Sequence, residues 1–250
     1  MQVRAAAYLL AEWAKRDFRI RYTQTLLGSL WALVQPIALT AAFVFLFRRV
    51  ANINVGIPYA SFVFPGMITW ALFATGVSNA SNAMATSMNI AAKANYPRVV
   101  APLSAVLLPL VDLLAGLVLL PVLVVIQHPG GHLSPLRLLL SLAGCLLLAA
   151  GIGTLLSALT VFVRDIRNVV PLVLQLGLLV TPVGYPGSRL PQWLSYSPMA
   201  TFVEGFRSSV VRAPAPSFAR WAVAYAVTGV VLVGGFAYFH RVERRFPDVA

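Results

Sequence analysis

Residues 31–47 read WALVQPIALTAAFVFLF, and this run contains no charged side chain. With its neighbours it forms an apolar stretch over 29–47, and a helix needs about 20 mostly apolar residues to cross the hydrocarbon core of a bilayer. Further along, residues 50–92 also lack Asp, Glu, Lys and Arg. The sequence therefore predicts a chain that crosses a membrane more than once.

The composition supports the same interpretation. Hydrophobic residues make up 59% of the 250-residue chain and charged residues 10%, whereas soluble domains carry about 25% charged residues. A soluble domain of this length could not bury so much apolar surface, because much of its surface stays exposed to water. The net charge of +12 comes from basic residues beside apolar runs, which indicates membrane orientation rather than nucleic-acid binding.

The apolar runs predict an all-α, polytopic protein in which residues 1–250 form a single transmembrane domain. If the N-terminus is cytoplasmic, most of the 19 Lys and Arg residues lie on the inner side, as the positive-inside rule requires, and the C-terminus is cytoplasmic too. Arg48 and Arg49 are exceptions, because this orientation places them outside without a physical reason. The six predicted spans are 29–47, 61–84, 99–126, 138–163, 169–186 and 221–239.

Three further segments have distinct patterns. Residues 4–22 form a basic amphipathic pattern, which predicts a helix in the membrane interface or, alternatively, an ordinary surface helix. Residues 85–98, on the inner side, predict a short helix ended by Pro97; it is either a docking site for a cytoplasmic partner or a solvated linker. Residues 187–217 mix Pro and Gly with short apolar stretches. They predict two re-entrant outer half-helices before the last span, or a plain outer loop.

Few residues point to chemistry within the chain. A P-loop needs Gly-Lys-Ser/Thr, but Lys15 and Lys93, the two lysines, both follow alanine. We therefore expect no ATP site, no cofactor and no enzymatic activity in this chain. His128 and His132 flank Pro-Gly-Gly, which favours a turn over a zinc-binding helix. Asp112 is the one acid deep inside a predicted span, where a charge is costly; it either hydrogen-bonds to a neighbouring helix or takes part in proton transfer.

Several blocks of the sequence resemble one family over nearly the whole chain. They are similar to the permease subunits that export O-antigens, capsules and teichoic acids by ATP-binding-cassette (ABC) transport. The blocks are RDFRIRYTQTLLGSLWALVQP (16–36), FPGMITWALF (64–73), KANYPRVVAPLSAVLLPLVD (93–112), RDIRNVVPLVLQLGLLVTPVGYP (164–186), SPMATFVEGFR (197–207) and the closing VERRFPDVA (242–250).

This resemblance implies a homodimer of six-span subunits in the bacterial inner membrane. Two copies of a separate ATPase, which binds ATP and magnesium, would supply the energy for moving lipid-linked polysaccharide outward. The resemblance makes 187–217 the outer gate region. It implies that the ATPase-coupling residues are Asn89, Lys93, Asn95, Tyr96 and Arg98. It implies that the entrance helix carries Arg16, Asp17, Arg19, Arg21 and Tyr22.

A sliding polymer needs a wall that binds weakly and repeatedly, and aromatic faces suit this because they make no fixed hydrogen bonds. The candidate residues of such a path are Phe43, Phe47, Trp70, Phe73 and Tyr185, although aromatic side chains in membrane proteins commonly serve packing or interface anchoring. The alternative functions are an ABC permease for drugs or other lipids, a proton-driven secondary transporter, and a membrane-embedded glycosyltransferase. The sequence shows neither the internal repeats nor the paired midplane charges that are typical of secondary transporters.

Overall fold

The computed structural model describes residues 31–50, 55–91, 97–127 and 133–248 of the chain. These residues form helices joined by short connections. In chain order the helices are α1 (Trp31–Phe43, continued by a π-helical turn Val44–Val50), α2 (Tyr59–Ala91), α3 (Val100–Leu107), α4 (Pro109–Gln127), α5 (Pro135–Phe162), α6 (Ile166–Val180), α7 (Gln192–Ser195), α8 (Pro198–Val210) and α9 (Phe218–Val242).

Four helical segments in the described part of the chain are long and apolar enough to cross a membrane. They are Tyr59–Thr86, Val100–Gln127, Pro135–Phe162 and Phe218–Phe246. Two further apolar helices, Pro36–Arg48 and Ile166–Val180, are shorter. The all-helical membrane fold expected from the sequence is therefore present, and the two short helices correspond to the first and fifth of the six predicted spans.

Prolines explain where several helices differ from the predicted ranges. The third predicted span consists of α3 and α4, which meet at Leu108 directly before Pro109, because proline lacks the N–H of a helical hydrogen bond. Helix α6 ends at Val180 rather than at 186, because Thr181 precedes Pro182 and is disfavoured in helix. Helix α2 continues past the predicted end at 84 as far as Ala91, since no Gly or Pro interrupts residues 84–91.

Helix α2 is the centre of the fold. Of the helices long enough to span, it is the most enclosed: 78% of its apolar window is buried, against 22% for the α3–α4 span and for α9. It packs against α1, α3, α4, α5, α6 and α8. Its many small side chains allow this, because Gly, Ala and Ser let neighbouring helix backbones approach closely. The α3–α4 span, α5 and α9 consequently leave a larger share of their apolar windows uncovered by the chain than α2 does.

Helices α5 and α9 touch at a pair of glycines. A Cβ added at Gly235 of α9 would lie 2.3 Å from the carbonyl oxygen of Gly151 on α5. A Cβ at Gly151 would lie 2.8 Å from the backbone of Leu232. On the same helix, a Cβ at Gly153 would meet Ala80 of α2 at 2.6 Å. The Gly-Ile-Gly sequence at 151–153 therefore serves close helix packing, which is the role its position in a span indicates.

Alanine in place of Gly235 is expected to destabilise the protein by about 1–3 kcal/mol, because the added methyl overpacks a contact between two backbones. Gly234→Ala is the matched control, since a Cβ there meets nothing within 4 Å. It should be neutral or slightly stabilising, because alanine favours helix by about 1 kcal/mol over glycine. Thermal unfolding of the purified variants in detergent measures the difference. Equal melting temperatures would contradict the close α5–α9 packing.

Candidate functional site

A buried network of hydrogen bonds surrounds Arg207 of α8. Its side chain is only 2% exposed. Its Nε donates to the carbonyl oxygen of Phe62 at 2.8 Å, and its Nη2 donates to the carbonyls of Pro182 and Val183, each at 2.8 Å. Its guanidinium also lies 3.8 Å from the ring centre of Phe62. Arginine stays protonated when buried, so this is a buried charge held by backbone oxygens and an aromatic face.

These hydrogen bonds satisfy a segment of chain that is not helical. Residues 181–184, which follow α6, are buried, and non-helical backbone at membrane depth is tolerated only where protein groups satisfy it. Arg207 supplies the donors for Pro182 and Val183, and the phenol of Tyr59 donates to the carbonyl of Gly184. Tyr59 at the start of α2 and Arg207 in the middle of α8 thus hold residues 181–184 between them.

A second arginine extends this arrangement to α9. The carboxylate of Glu204 accepts from the backbone N–H of Gly187 at 3.0 Å and pairs with Arg220 at 2.5 Å. The Nε of Arg220 donates to the carbonyl of Ser195 at 2.8 Å. Gly187 must be glycine here, because a Cβ would lie 2.0 Å from the Glu204 carboxylate. We name Tyr59, Glu204, Arg207 and Arg220 the arginine clamp.

Glu204 and Arg207 of the arginine clamp lie within 187–217, the segment that the resemblance makes the outer gate region. The described structure of 187–217 contains a 3₁₀ turn (Gly187–Arg189), the four-residue α7 and α8. Helix α8 has a serine N-cap, Ser197, which accepts from the N–H of Ala200, and a proline at its first turn, both typical of a helix start. Most of α8 is buried.

The clamp residues were not among the predicted site residues. Arg207 and Glu204 lie three apart in an otherwise apolar stretch, and a charge in such a stretch is itself a signal of function. That spacing suggests a pair within one helix turn. In the structure Glu204 instead forms an ion pair with Arg220. Arg207 donates hydrogen bonds to backbone carbonyls of residues 24 and 145 positions away in the chain.

The five predicted aromatic residues lie near the end of α6. Phe43 and Phe47 stack with ring centres 5.2 Å apart and pack on Gly184. Trp70 and Phe73 have ring centres 5.5 Å apart, and Trp70 packs on Gly177. The phenol of Tyr185 donates to the carbonyls of Leu179 and Val180. Phe43, Trp70 and Phe73 are less than 10% exposed, which is the environment of packing residues; Phe47 and Tyr185 are half-buried.

Of the predicted coupling residues, the structure describes the side chain of Arg98 alone. The guanidinium of Arg98 donates to the backbone carbonyl of Glu243. Asn89 belongs to the last turns of α2. The remaining coupling residues and the whole entrance helix lie outside the described residues: Lys93, Asn95, Tyr96, Arg16, Asp17, Arg19, Arg21 and Tyr22. The histidine pair, His128 and His132, lies outside them as well.

Asp112 lies in the first turn of α4 and is half-buried. An acid in the first turn interacts favourably with the helix dipole, which is a physical reason for an acid directly after the break at Pro109. Within the described ranges, no group of three or more His, Cys, Asp or Glu side chains is placed to hold a metal ion. The buried hydrogen bonds of Tyr59 and Arg207 hold α2, α8 and the segment that follows α6 together.

Comparisons with known proteins show relatives along the whole chain. A sequence profile of the family described as ABC-2 type transporter matches residues 8–211. The chain is 28% identical over 250 residues to an O-antigen export system permease protein RfbA from Klebsiella pneumoniae, covering 96% of this chain and 94% of that protein. It is 29% identical over 251 residues to a protein of the same name from Myxococcus xanthus, with the same coverage.

Proposed function

The chain belongs to the ABC-2 type transporter family, and from this premise we propose that it is the permease subunit of an ABC exporter for polysaccharide. The observation that carries the proposal is the similarity over 96% of the chain to permeases named for O-antigen export. In this proposal the cargo is a lipid-linked polysaccharide of the O-antigen kind. It moves from the cytoplasmic side to the outer side of the bacterial inner membrane.

Deleting the gene for this chain in its source bacterium tests the cargo. Surface polysaccharide should disappear while lipid-linked polymer accumulates on the cytoplasmic side, and a plasmid copy of the gene should restore export. Unchanged surface polysaccharide together with increased drug sensitivity would favour the alternative, a permease for drugs. Loss of export that depends on the proton gradient, with no need for an ATPase, would favour a secondary transporter.

The six-span topology is part of the proposal. The two shorter apolar helices, α1 and α6, would be the first and fifth spans, residues 4–22 an interface helix, and 187–217 re-entrant outer helices. Support comes from the apolar character of α1 and α6 and from the burial of α8. A cysteine at exposed Arg48 should react with a membrane-impermeant maleimide from outside, and one at exposed Arg245 from inside. The opposite pattern would reject this orientation.

Membership of this family implies an ATPase partner. We assign ATP and magnesium to that partner, because the chain has no P-loop lysine. We assign its docking to residues 85–98, which comprise the last turns of α2 and the chain that follows them as far as Arg98. The purified chain should hydrolyse no ATP until the ATPase is added. Turnover by the chain alone would contradict the assignment.

The exposed face of α6 supports a homodimer. Leu172, Val173, Leu176 and Leu179 of this helix are each more than half exposed, so the helix presents an apolar stripe that the rest of its own chain leaves uncovered. Lipid could cover such a stripe, but in a two-subunit channel a partner's helix covers it instead.

Cross-linking distinguishes lipid from a second copy on this stripe. Leu176→Cys is expected to form a cross-linked dimer in membranes treated with a mild oxidant. The single native cysteine, Cys145, is buried and should not react. Val233→Cys is the matched control, because Val233 is an exposed apolar residue of another helix, α9. Equal cross-linking at both positions would indicate random collision and would contradict a specific α6 interface.

The aromatic path remains a proposal in the same transporter. Alanine at Phe47 or Tyr185, the two half-buried members, should slow polymer export while protein level and ATP hydrolysis stay near normal. Alanine at Trp70 serves as the packing control, because Trp70 is buried against Gly177 and its loss should lower folded protein. If the Phe47 and Tyr185 variants lose folded protein to the same degree, these residues serve packing and the path is wrong.

A further inference from the structure

The loop between α2 and α3 is held at its base by the C-terminal end of the chain. Arg98 follows Pro97 and precedes α3, which begins at Val100. Its guanidinium donates to the backbone carbonyl of Glu243 and lies 6.0 Å from the ring centre of Phe246. Glu243 is the C-cap of α9, and a cation near a helix C-terminus is favourable because unpaired carbonyls concentrate negative charge there.

Phe246 is buried in a small apolar cluster at the end of α9. It is 2% exposed, and the cluster, which is separate from the main core, also contains Met84 of α2, Ala101 of α3, Ala158 of α5 and Phe239 of α9. Its ring meets that of Phe239 at 5.6 Å and 82°, an edge-to-face contact. The cluster that holds Phe246 thus includes residues of both α2 and α3.

The two sides of this connection are held by different kinds of contact. Helix α2 is continuous to Ala91, and Met84 is tied to α5 through a backbone hydrogen bond to the Ser157 hydroxyl at 3.3 Å. Between Pro97 and Val100 the chain makes only a turn, with a Val100 N–H to Pro97 carbonyl bond of 3.0 Å. The contacts of Arg98 with Glu243 and Phe246 hold this turn against the end of α9.

We propose that Phe246, acting through Arg98, is a positioning residue that ties the start of α3 to the C-terminal end of α9, so that movement of the ATPase is transmitted to both helices. This inference rests on the proposed docking of the ATPase at residues 85–98. Because Arg98 is held by Glu243 and Phe246, a movement at the start of α3 is passed to the end of α9 as well. In this proposal residues 243–246 help to couple ATP hydrolysis to export, although they contact neither ATP nor polymer.

Phe246→Leu tests the proposal in the complete permease–ATPase complex. Leucine keeps an apolar side chain in the cluster but removes the ring that faces Arg98. The complex should still assemble, and ATP hydrolysis should continue, while the number of polymers exported per ATP falls about tenfold, the change that corresponds to roughly 1.4 kcal/mol of lost coupling. Unchanged export per ATP would overturn the proposal, as would loss of ATPase binding, which would make 243–246 part of the docking surface itself.

Phe239→Leu is the matched control for packing. Phe239 is buried in the same cluster and contacts the same ring, but the contacts of Arg98 run to Glu243 and Phe246. Both leucine variants should lower the melting temperature by similar amounts, yet Phe239→Leu should keep export per ATP. Equal uncoupling by both variants would mean that general loosening is the cause, and the positioning role would be rejected.

A double mutant adds a direct test of the pair. If Phe246 acts through Arg98, then Arg98→Met should uncouple export, and Phe246→Leu in that background should cause no further loss, since contacting residues are non-additive. Additive losses would reject the link between the two. Ala91→Pro, at the end of α2, separates a wrong role for Phe246 from a wrong docking assignment. If this variant also leaves export intact, residues 85–98 do not couple ATP hydrolysis to export at all.

Discussion

Arg207→Met is expected to abolish export and to release the segment 181–187 from its buried position. Methionine fills a similar volume but donates no hydrogen bond, so the carbonyls of Phe62, Pro182 and Val183 lose the donors they have in the structure. A buried polar group without a partner costs about 1–3 kcal/mol. Single substitutions typically lower the free energy of unfolding by about 1 kcal/mol. The loss of hydrogen bonds at three buried carbonyls, even if it is partial, is expected to cost more than this.

Cysteine accessibility shows whether the segment moves. Val183 is fully buried, so Val183→Cys should be unreactive toward maleimide in the otherwise native chain and reactive when combined with Arg207→Met. Arg207→Lys should be nearly as severe, because a single ammonium cannot reproduce the planar fork that reaches separate carbonyls. Arg212→Met is the control, since Arg212 is an exposed arginine five positions further along. Normal export by Arg207→Met would show that the hydrogen bonds of Arg207 are not required for export.

Proline at Ala91 is expected to eliminate export while leaving membrane insertion intact. Ala91 is the last residue of α2 and lies within the proposed ATPase-docking segment, 85–98. Proline in a helix costs about 3 kcal/mol relative to alanine, and glycine about 1 kcal/mol. The series Ala91, Ala91→Gly and Ala91→Pro should therefore lower coupled export in that order, while the chain still purifies as an intact membrane protein.

The readout for this series is ATP hydrolysis stimulated by the permease, measured beside export. Ala215→Pro is the matched control, because Ala215 is exposed and lies in the non-helical connection before α9, where proline interrupts no helix. If Ala91→Pro exports polymer normally, residues 85–98 are a linker, which is the alternative that the sequence leaves open.

The sequence alone identified the membrane fold because that property depends on composition and run length. Apolar stretches such as 138–163 have no stable place in water, so their helical form follows from the need to satisfy every backbone group internally. The separate character of 187–217 was also predictable, since its Pro and Gly residues interrupt any span. Proline positions could have shown more: the breaks at Pro109 and Pro182 follow from local stereochemistry.

The tertiary structure alone decided which residues hold segment 181–184 in place and which residues tie Arg98 to the end of α9. Spacing along a helix tells which side chains share a face, but it does not tell which backbone lies opposite. The partners of Arg207 are carbonyls, which every residue carries, and one of them is 145 positions away. Likewise the closing VERRFPDVA block does not tell which residues Phe246 packs against, and the aromatic pairs suit a wall and a core equally. Burial and long-range neighbours arise only when the helices pack around α2, so no local pattern in the chain encodes them.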